Sequence, residues 1–206
     1  MKMKMVAMLL VVLLAMAPLG HGIIDQSPEG VERWFRRLPH AKEKLTKLHF
    51  FFQDVVSGKT PTAIEVARSS LTSSSKTFFG LTRVFDDPLT VTGSPDSHRI
   101  GYGQGIYSLT SQEDVALLFT FNFVFTDGKY NGSTLSIQGY NPLEAKYREM
   151  AVVGGSGVFR LARGSAVAST YWANATTQDG IVEFTVYVLH YDVGGNDGDE
   201  QYVQDM

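Results

Sequence analysis

The sequence predicts an all-β domain, either a sandwich or a closed barrel. Short segments rich in strand-forming residues follow one another closely from Leu48 onward, and their apolar and polar residues alternate. Residue pairs typical of turns separate these segments, among them Asp127-Gly128 and Asp179-Gly180. Almost none of the remaining chain shows a helical period. Together these observations favour many short strands in one compact domain.

Nine segments have the composition of strands. The alternation is clearest in the fifth segment, where Phe119, Phe121, Phe123 and Phe125 share one face. The pattern leaves open which face lies inside, and an eight-stranded barrel is just wide enough to hold one small ligand. The predicted strands are 49–55, 62–66, 77–85, 100–109, 115–126, 134–138, 158–163, 166–172 and 181–191.

The first 22 residues have the order of a secretory signal peptide. Lys2 and Lys4 precede an apolar run over 5–17, and Gly20 and Gly22 supply small residues near a cleavage point. A membrane anchor is the alternative, but a span needs about 20 apolar residues and this run is shorter. We therefore expect a secreted, extracellular protein that is not in a membrane after cleavage.

Four regions follow from these patterns. We expect a signal peptide over 1–22, a flexible N-terminal lead-in with one or two helical turns over 23–46, and a β-domain over 47–192. Residues 193–206 are glycine-rich and acidic, which is typical of a disordered tail.

Composition excludes several classes of function. The 206-residue chain has no cysteine, which removes thiol catalysis and disulfides. Its net charge of -3 and lack of a basic cluster argue against binding nucleic acid. The histidines form no close pair at metal-ligand spacing, so the sequence predicts no metal and no other cofactor. Two sequons, at Asn131 and Asn174, predict N-glycosylation of an exported chain.

Five segments in order resemble the plant dirigent family. The first is His-Phe-Phe-Phe-Gln-Asp at 49–54, and the second contains Phe-Asp-Asp-Pro at 85–88. The third is Gly-Tyr-Gly-Gln-Gly-Ile-Tyr at 101–107. The last two, at 148–157 and 161–164, resemble the most distinctive block of the family. The likeness runs from about residue 47 to residue 191.

The resemblance implies an eight-stranded antiparallel β-barrel, usually a homotrimer (a dimer is the alternative), that works in the plant apoplast or cell wall. Members of the family direct regio- and stereoselective coupling of phenoxy radicals, formed from monolignols by a laccase or peroxidase, in lignan and other phenylpropanoid metabolism. They bind the phenolic radicals or the derived quinone methides. Other members are dehydratases that close a pterocarpan ring. A non-catalytic, lignin-organising wall protein is the third possibility.

Asp54 is the first candidate catalytic residue. In an extended strand it shares a face with Phe50 and Phe52. Burial among aromatic rings would raise the pKa of its carboxyl group and make it a proton donor. The alternative is an exposed aspartate at a strand end, but the resemblance implies a working acid at this position.

Tyr107 and Arg148 are the other candidate catalytic residues. Tyr107 follows Gly105 by two positions, so its phenol leaves the strand where a glycine makes room. Arg148 could stabilise a phenolate with its fixed charge. The alternatives are a tyrosine in the barrel wall and a surface ion pair of Arg148 with Glu144 or Glu149.

We expect Phe52, Asp86, Asp87 and Asn141 to contact substrate. The alternative for the two aspartates is a turn before Pro88. Asn141 stands where family members that make pinoresinol carry an aspartate before a proline, and an amide cannot exchange a proton. Tyr102 also replaces the family's arginine, and its usual cysteine pair is missing. These departures indicate the broader subgroup that includes isoflavonoid-dehydrating members.

Overall fold

The computed structural model describes residues 24–193 as one helix and nine strands, with short 3₁₀ turns between them. The helix, α1, spans Pro28–Arg37. The strands are β1 Lys42–Asp54, β2 Ala63–Arg68, β3 Leu81–Thr90, β4 Arg99–Leu109, β5 Ala116–Phe125, β6 Thr134–Pro142, β7 Arg148–Ser156, β8 Arg163–Ala173 and β9 Gly180–Asp192.

Eight of these strands close into an antiparallel barrel, which confirms the predicted fold class. Strands β3 to β9 pair in sequence order, and β9 pairs with β1 along its whole length. Closure comes from β1 and β3, which pair at Phe52 and Leu89. The first half of β3 pairs on the same edge with β2. β2 therefore continues the barrel wall at the point where β1 ends.

The barrel interior is filled by aromatic rings. The alternating phenylalanines of β5 all point inward, which answers the question that the sequence left open. Phe50 and Phe184 pack on them from the opposite wall, with ring centroids 4.8 Å and 5.1 Å from that of Phe123. Burying one such side chain contributes about 1.5–3 kcal/mol. The middle of the barrel is therefore a packed core, which leaves its two ends for binding.

The seventh predicted strand, at 158–163, is wrong. A 3₁₀ turn spans Gly157–Phe159, and Leu161 has a φ of 58°, which no strand residue adopts. Gly157 has a φ of 67°, and a Cβ there would lie 2.6 Å from the Ser133 hydroxyl. The strand instead occupies Arg148–Ser156, whose run of glycines conceals it in the sequence.

The turn predicted before Pro88 is also wrong, because β3 continues through this residue to Thr90. Proline lacks the amide that a central strand must donate. On the edge of β3 that faces β1 and β2, the β2 pairing ends at Phe85 and the β1 pairing begins at Leu89. Pro88 lies between them, where the missing donor interrupts no strand pairing.

The lead-in over 23–46 is more structured than predicted. The Ser27 hydroxyl caps α1 by accepting from the Gly30 amide at 3.0 Å, and Pro28 stands in the first turn. Trp34 is buried, and the barrel begins at Lys42 rather than residue 47. The signal peptide and nearly all of the acidic tail lie outside the described residues. Within 24–193 no helix is long and apolar enough to cross a membrane.

Candidate active site

The candidate site lies at the end of the barrel where β1 ends and β9 begins, which we term the site end. Asp54 is the last residue of β1 and faces inward with Phe50 and Phe52, as its position in the strand predicts. Phe52 is 2% exposed and packs against Phe85 and Phe119. It therefore forms the apolar floor beneath the polar groups of the site.

Two carboxyl groups meet above this floor. β1 and β3 pair with Phe52 opposite Leu89, and continuing that antiparallel register by two residues brings Asp54 opposite Asp87. Asp87 is fully buried, and neither of its oxygens has a hydrogen-bond partner of good geometry. One oxygen of Asp54 is likewise buried and unpaired. The pair is therefore poorly solvated.

Burial is the main reason why the pKa values of both carboxyl groups are raised. It raises the pKa of Asp54 to about 7, against the opposing charge of Arg83 and with help from Asp179. Burial and the charge of Asp54 raise the pKa of Asp87 to about 9, although the nearby Thr62 hydroxyl acts to lower it. At neutral pH the pair retains at least one proton, so it can act as a general acid.

Tyr107 and Arg83 form the adjoining wall. They stand opposite each other on β4 and β3, and the Arg83 Nη1 donates to the Tyr107 hydroxyl at 3.2 Å. Burial, with the charge of Asp54, raises the pKa of Tyr107 to about 12. Tyr107 therefore stays a phenol, and its hydroxyl can donate to a ligand while it accepts from Arg83.

Sequence reasoning missed Arg83, although a signal for it existed. Arg83 occupies the same face of β3 as Phe85, Asp87 and Leu89, at the period of two that defines the interior. An arginine on an inward face is rarely buried without a partner or a function. The turn expected at Pro88 hid this pattern, because it ended the predicted strand at residue 85, before Asp87 and Leu89.

The loop between β8 and β9 closes one side of the site. Gln178 accepts a hydrogen bond from the Arg83 Nη2. Asp179 accepts from the backbone amides of Val56 and Ser57 at 2.8 and 2.9 Å, and from the Ser57 hydroxyl at 2.6 Å. Desolvation alone would raise the pKa of Asp179, but these hydrogen bonds lower it to about 2. Asp179 thus ties this loop to the chain that follows Asp54.

Arg148 and Asn141 face the interior from β7 and β6 at the same end. The Arg148 Nη1 donates to the Thr170 hydroxyl at 2.7 Å, and Glu149 on the outer face accepts from Ser165 instead. The alternative of a surface ion pair is therefore wrong, since Arg148 is 3% exposed. Burial lowers the pKa of its guanidinium. Asn141 is buried, with an unpaired side-chain oxygen.

Asp86 does not reach the site. Arg83, Phe85 and Asp87 point into the barrel, and Asp86 lies between the last two, so its side chain points to the outside. There its carboxylate accepts a hydrogen bond from the Gln104 side-chain amide at 2.9 Å. The expectation that Asp86 contacts substrate is therefore corrected by the alternation of the strand that carries it. Of the two neighbouring aspartates, only Asp87 lines the interior.

Unpaired buried polar atoms concentrate at the site end. Among residues 24–193, seven buried side-chain nitrogen or oxygen atoms lack a hydrogen-bond partner, and six of them are here. They belong to Asp54, Arg83, Asp87, Asn141 and Arg148. Each such atom costs about 1–3 kcal/mol unless something satisfies it. A ligand with several polar atoms could satisfy them, and this end of the barrel is therefore the candidate site.

Comparison with known proteins agrees with this fold. The family model described as Dirigent-like protein matches residues 45–189. The chain belongs to the dirigent family. It is 47% identical over 151 residues to Dirigent protein 21 of Arabidopsis thaliana, which covers 73% of this chain and 80% of that one.

Other dirigent relatives carry a more specific name. Pterocarpan synthase 1 of Glycyrrhiza echinata is 45% identical over 151 residues, with 73% of this chain and 80% of the relative covered. The solved structure of the pterocarpan synthase dirigent protein GePTS1 aligns with a TM-score of 0.70 at 44% identity. The alignment covers 74% of this chain and 93% of that one.

The two sequons of this dirigent chain lie at opposite barrel ends. Asn131 is exposed in the loop after β5, and Asn174 lies in the β8–β9 loop beside the site. The Asn174 side-chain oxygen accepts from the Thr176 amide at 2.9 Å. Glycosylation at either stays a prediction. In the described part of the chain, no group of three or more potential ligands is placed to hold a metal ion.

Proposed function

We propose that this dirigent protein binds a phenolic compound at the site end and controls a reaction that passes through a quinone methide. The acid pair of Asp54 and Asp87 carries this proposal. A phenol or quinone methide has an aromatic body for the floor around Phe52 and oxygens for the unpaired polar atoms above it. Asp54 and Arg83 are only half-buried, so the site reaches the surface between them.

Proton transfer by the pair is the proposed chemical step. A neutral carboxyl group gives its proton to an oxygen of the bound molecule and is left as a carboxylate, which takes up a proton later in the cycle. Tyr107 and Arg83 hold the phenolic oxygen, whose negative charge changes as the quinone methide forms or collapses. Arg148 and Asn141 orient the far end of the ligand. The fixed geometry decides which face of the methide carbon is attacked.

The first candidate reaction is stereoselective coupling of phenoxy radicals. A laccase or peroxidase removes one electron and one proton from each phenol, and two radicals join by a carbon–carbon bond. The coupled product is a quinone methide, and attack by a hydroxyl group closes the ring as the carbonyl oxygen takes a proton. In this reaction the dirigent protein needs an oxidase as its functional partner, and we propose that both work in the apoplast.

The second candidate is a dehydratase, and the relatives named pterocarpan synthase favour it. The carboxyl proton joins the leaving hydroxyl group, the carbon–oxygen bond breaks, and water departs. The phenol loses its proton to the carboxylate that this leaves and becomes the quinone methide carbonyl. A second phenolic oxygen then attacks the methide carbon, and its proton returns the carbonyl to a phenol. This reaction needs no oxidase.

Two assays with one protein distinguish the candidates. The first measures enantiomeric excess in products from coniferyl alcohol and a laccase, and the second measures turnover of an isoflavanol without oxidase. Asp54→Asn should abolish whichever effect is present, whereas Asp86→Asn makes the same chemical change on the outer face and should have no effect. If neither assay responds to Asp54→Asn, the third possibility, a non-catalytic wall protein, gains support.

We also propose that the protein forms a homotrimer through the outside of the barrel. Exposed apolar side chains follow one another across neighbouring strands, with Ile64 opposite Val84 and Val84 opposite Ile106. Leu118 and Tyr140 continue this surface onto β5 and β6. A contiguous apolar surface on a secreted barrel favours self-association. Light scattering should give a trimer, and Ile106→Lys should give a monomer.

A further inference from the structure

A cavity of about 350 Å³ lies at the opposite end of the barrel from Asp54, which we term the helix end. Helix α1 covers one side of it through Trp34. The start of β1 and the end of β9 form the barrel side, and the turn that contains Val158 completes the wall. The volume lies within the range of about 300–1,000 Å³ that small-molecule sites occupy.

Most of the charged side chains in the cavity wall are positive. Arg37, Lys44, Lys129 and Arg160 contribute to its wall, and Asp192 is the only acidic residue there among the described part of the chain. The Lys44 Nζ lies 3.9 Å from the Asp192 Oδ2. The whole chain has a net charge of -3, so this concentration of cations runs against the overall balance. It favours an anionic occupant.

Aromatic and aliphatic groups form the rest of the wall. Trp34 and Tyr130 are buried apart from the edges that reach the cavity, and Tyr191 is half-buried. Arg160 lies over the Trp34 ring at 5.7 Å, and Lys129 lies over the Tyr130 ring at 4.9 Å. Cations held on aromatic faces present charge and a flat apolar surface together. This combination suits a ligand that is itself aromatic and negatively charged.

A buried histidine also lies in the wall of this cavity. His190 is 4% exposed and lines the cavity, and its Nε2 lies 2.9 Å from the Thr46 hydroxyl. Its Nδ1 is the seventh of the unpaired buried polar atoms, and the only one away from the site end in the described residues. The Val158 backbone lies near but makes no hydrogen bond of good geometry. His190 thus adds a buried, poorly satisfied polar group to the cavity wall.

We propose that the helix end is a second binding site, for a small aromatic carboxylate. The ligand carboxylate would lie beside Lys129 and Arg160, and its ring would contact the edges of Trp34 and Tyr130 that reach the cavity. The site is separate from the acid pair, because the phenylalanine core fills the barrel between the two ends. A neutral phenol suits the site end, whereas the helix end selects for negative charge.

The chain carries its own reporter for this site. Its two tryptophans are Trp34, in the cavity wall, and Trp172, which is 47% exposed on β8. In a Trp172→Phe protein, emission therefore reports on Trp34 alone. Ferulate is the probe, and coniferyl alcohol is its matched neutral control, with the same ring and an alcohol in place of the carboxylate. Ferulate should quench the emission with half-saturation at or below about 1 mM.

Two charge reversals test the location. Lys129→Glu should weaken ferulate binding at least 10-fold, and Lys76→Glu, the same change on an exposed loop of the site end, should alter it less than 2-fold. Raising the salt concentration to 0.5 M should weaken binding several-fold, since the cations are partly exposed. Circular dichroism of the variants verifies their fold, and isothermal titration repeats the measurement without relying on Trp34.

Three results would overturn the proposal. The first is the absence of both saturable quenching and binding heat with ferulate. The second is equal binding of coniferyl alcohol, which would mean that the cations play no role. The third is ferulate binding only after removal of residues 194–206. That result would assign the cavity to the chain's own acidic segment, which contains Asp197, Asp199 and Glu200.

Discussion

Replacing Asp87 by asparagine keeps the shape of a fully buried side chain and removes its ability to ionise. In the folded protein Asp87 keeps its proton up to a pKa of about 9, because burial and the charge of Asp54 disfavour the carboxylate. In the unfolded chain the pKa of the same group returns to about 3.8. Folding therefore takes up a proton over the pH range between these values, so stability falls as the pH rises.

The size of the effect follows from this difference. Between pH 5 and pH 8 the unfolded carboxyl is ionised and the folded one is neutral. Each tenfold drop in proton concentration then lowers the free energy of unfolding by about 1.4 kcal/mol. Asp87 alone therefore removes up to about 4 kcal/mol from wild-type stability across this interval. Asp87→Asn should be within about 1 kcal/mol of wild type at pH 5 and clearly more stable at pH 8.

Urea unfolding followed by circular dichroism at both pH values measures this difference. Asp86→Asn is the control, because it removes an exposed carboxylate one residue away whose charge contributes least to the raised pKa of Asp87. It should therefore change the pH dependence much less than Asp87→Asn does. Asp54→Asn should also reduce the slope, since the charge of Asp54 helps to raise the pKa of Asp87. If Asp87→Asn loses as much stability as wild type between pH 5 and pH 8, Asp87 is already ionised, and the reasoning is refuted.

Three further predictions concern the site and its support. Arg83→Gln removes a charge that lowers the pKa of Asp54, so the pH–activity profile should shift upward while activity falls about 10-fold or more. Asp179→Asn should shift the pH–activity profile downward, because the Asp179 charge raises the pKa of Asp54. It should also increase hydrogen exchange at the Ser57 amide, and unchanged protection would argue against a positioning role. Phe123→Ala should lower the free energy of unfolding by about 3–5 kcal/mol, measured by urea titration, because this ring is fully buried.

The alternation of side chains along each strand is a local property, so the sequence alone determined the fold class and much of the interior. The face that carries the phenylalanines of β5 and the inward position of Asp54 follow from a period of two. The motif resemblance supplied the number of strands and the family. Where a local signal was ambiguous, as in the glycine run of β7 and at Pro88, the sequence did not locate the strand.

Tertiary structure decided which residues meet. Asp54 faces Asp87 only because β1 and β3 close the barrel, and that pairing joins segments more than 30 residues apart in the chain. Gln178 reaches Arg83 through the same closure, whereas Tyr107 meets Arg83 through the pairing of β3 with β4. The helix-end cavity depends on how α1 packs beside the segment that carries Arg160, which no local pattern encodes. Pairing register and docking arise from long-range contacts, whereas periodicity arises from neighbouring residues, and this is why the sequence indicated the barrel but not the pair.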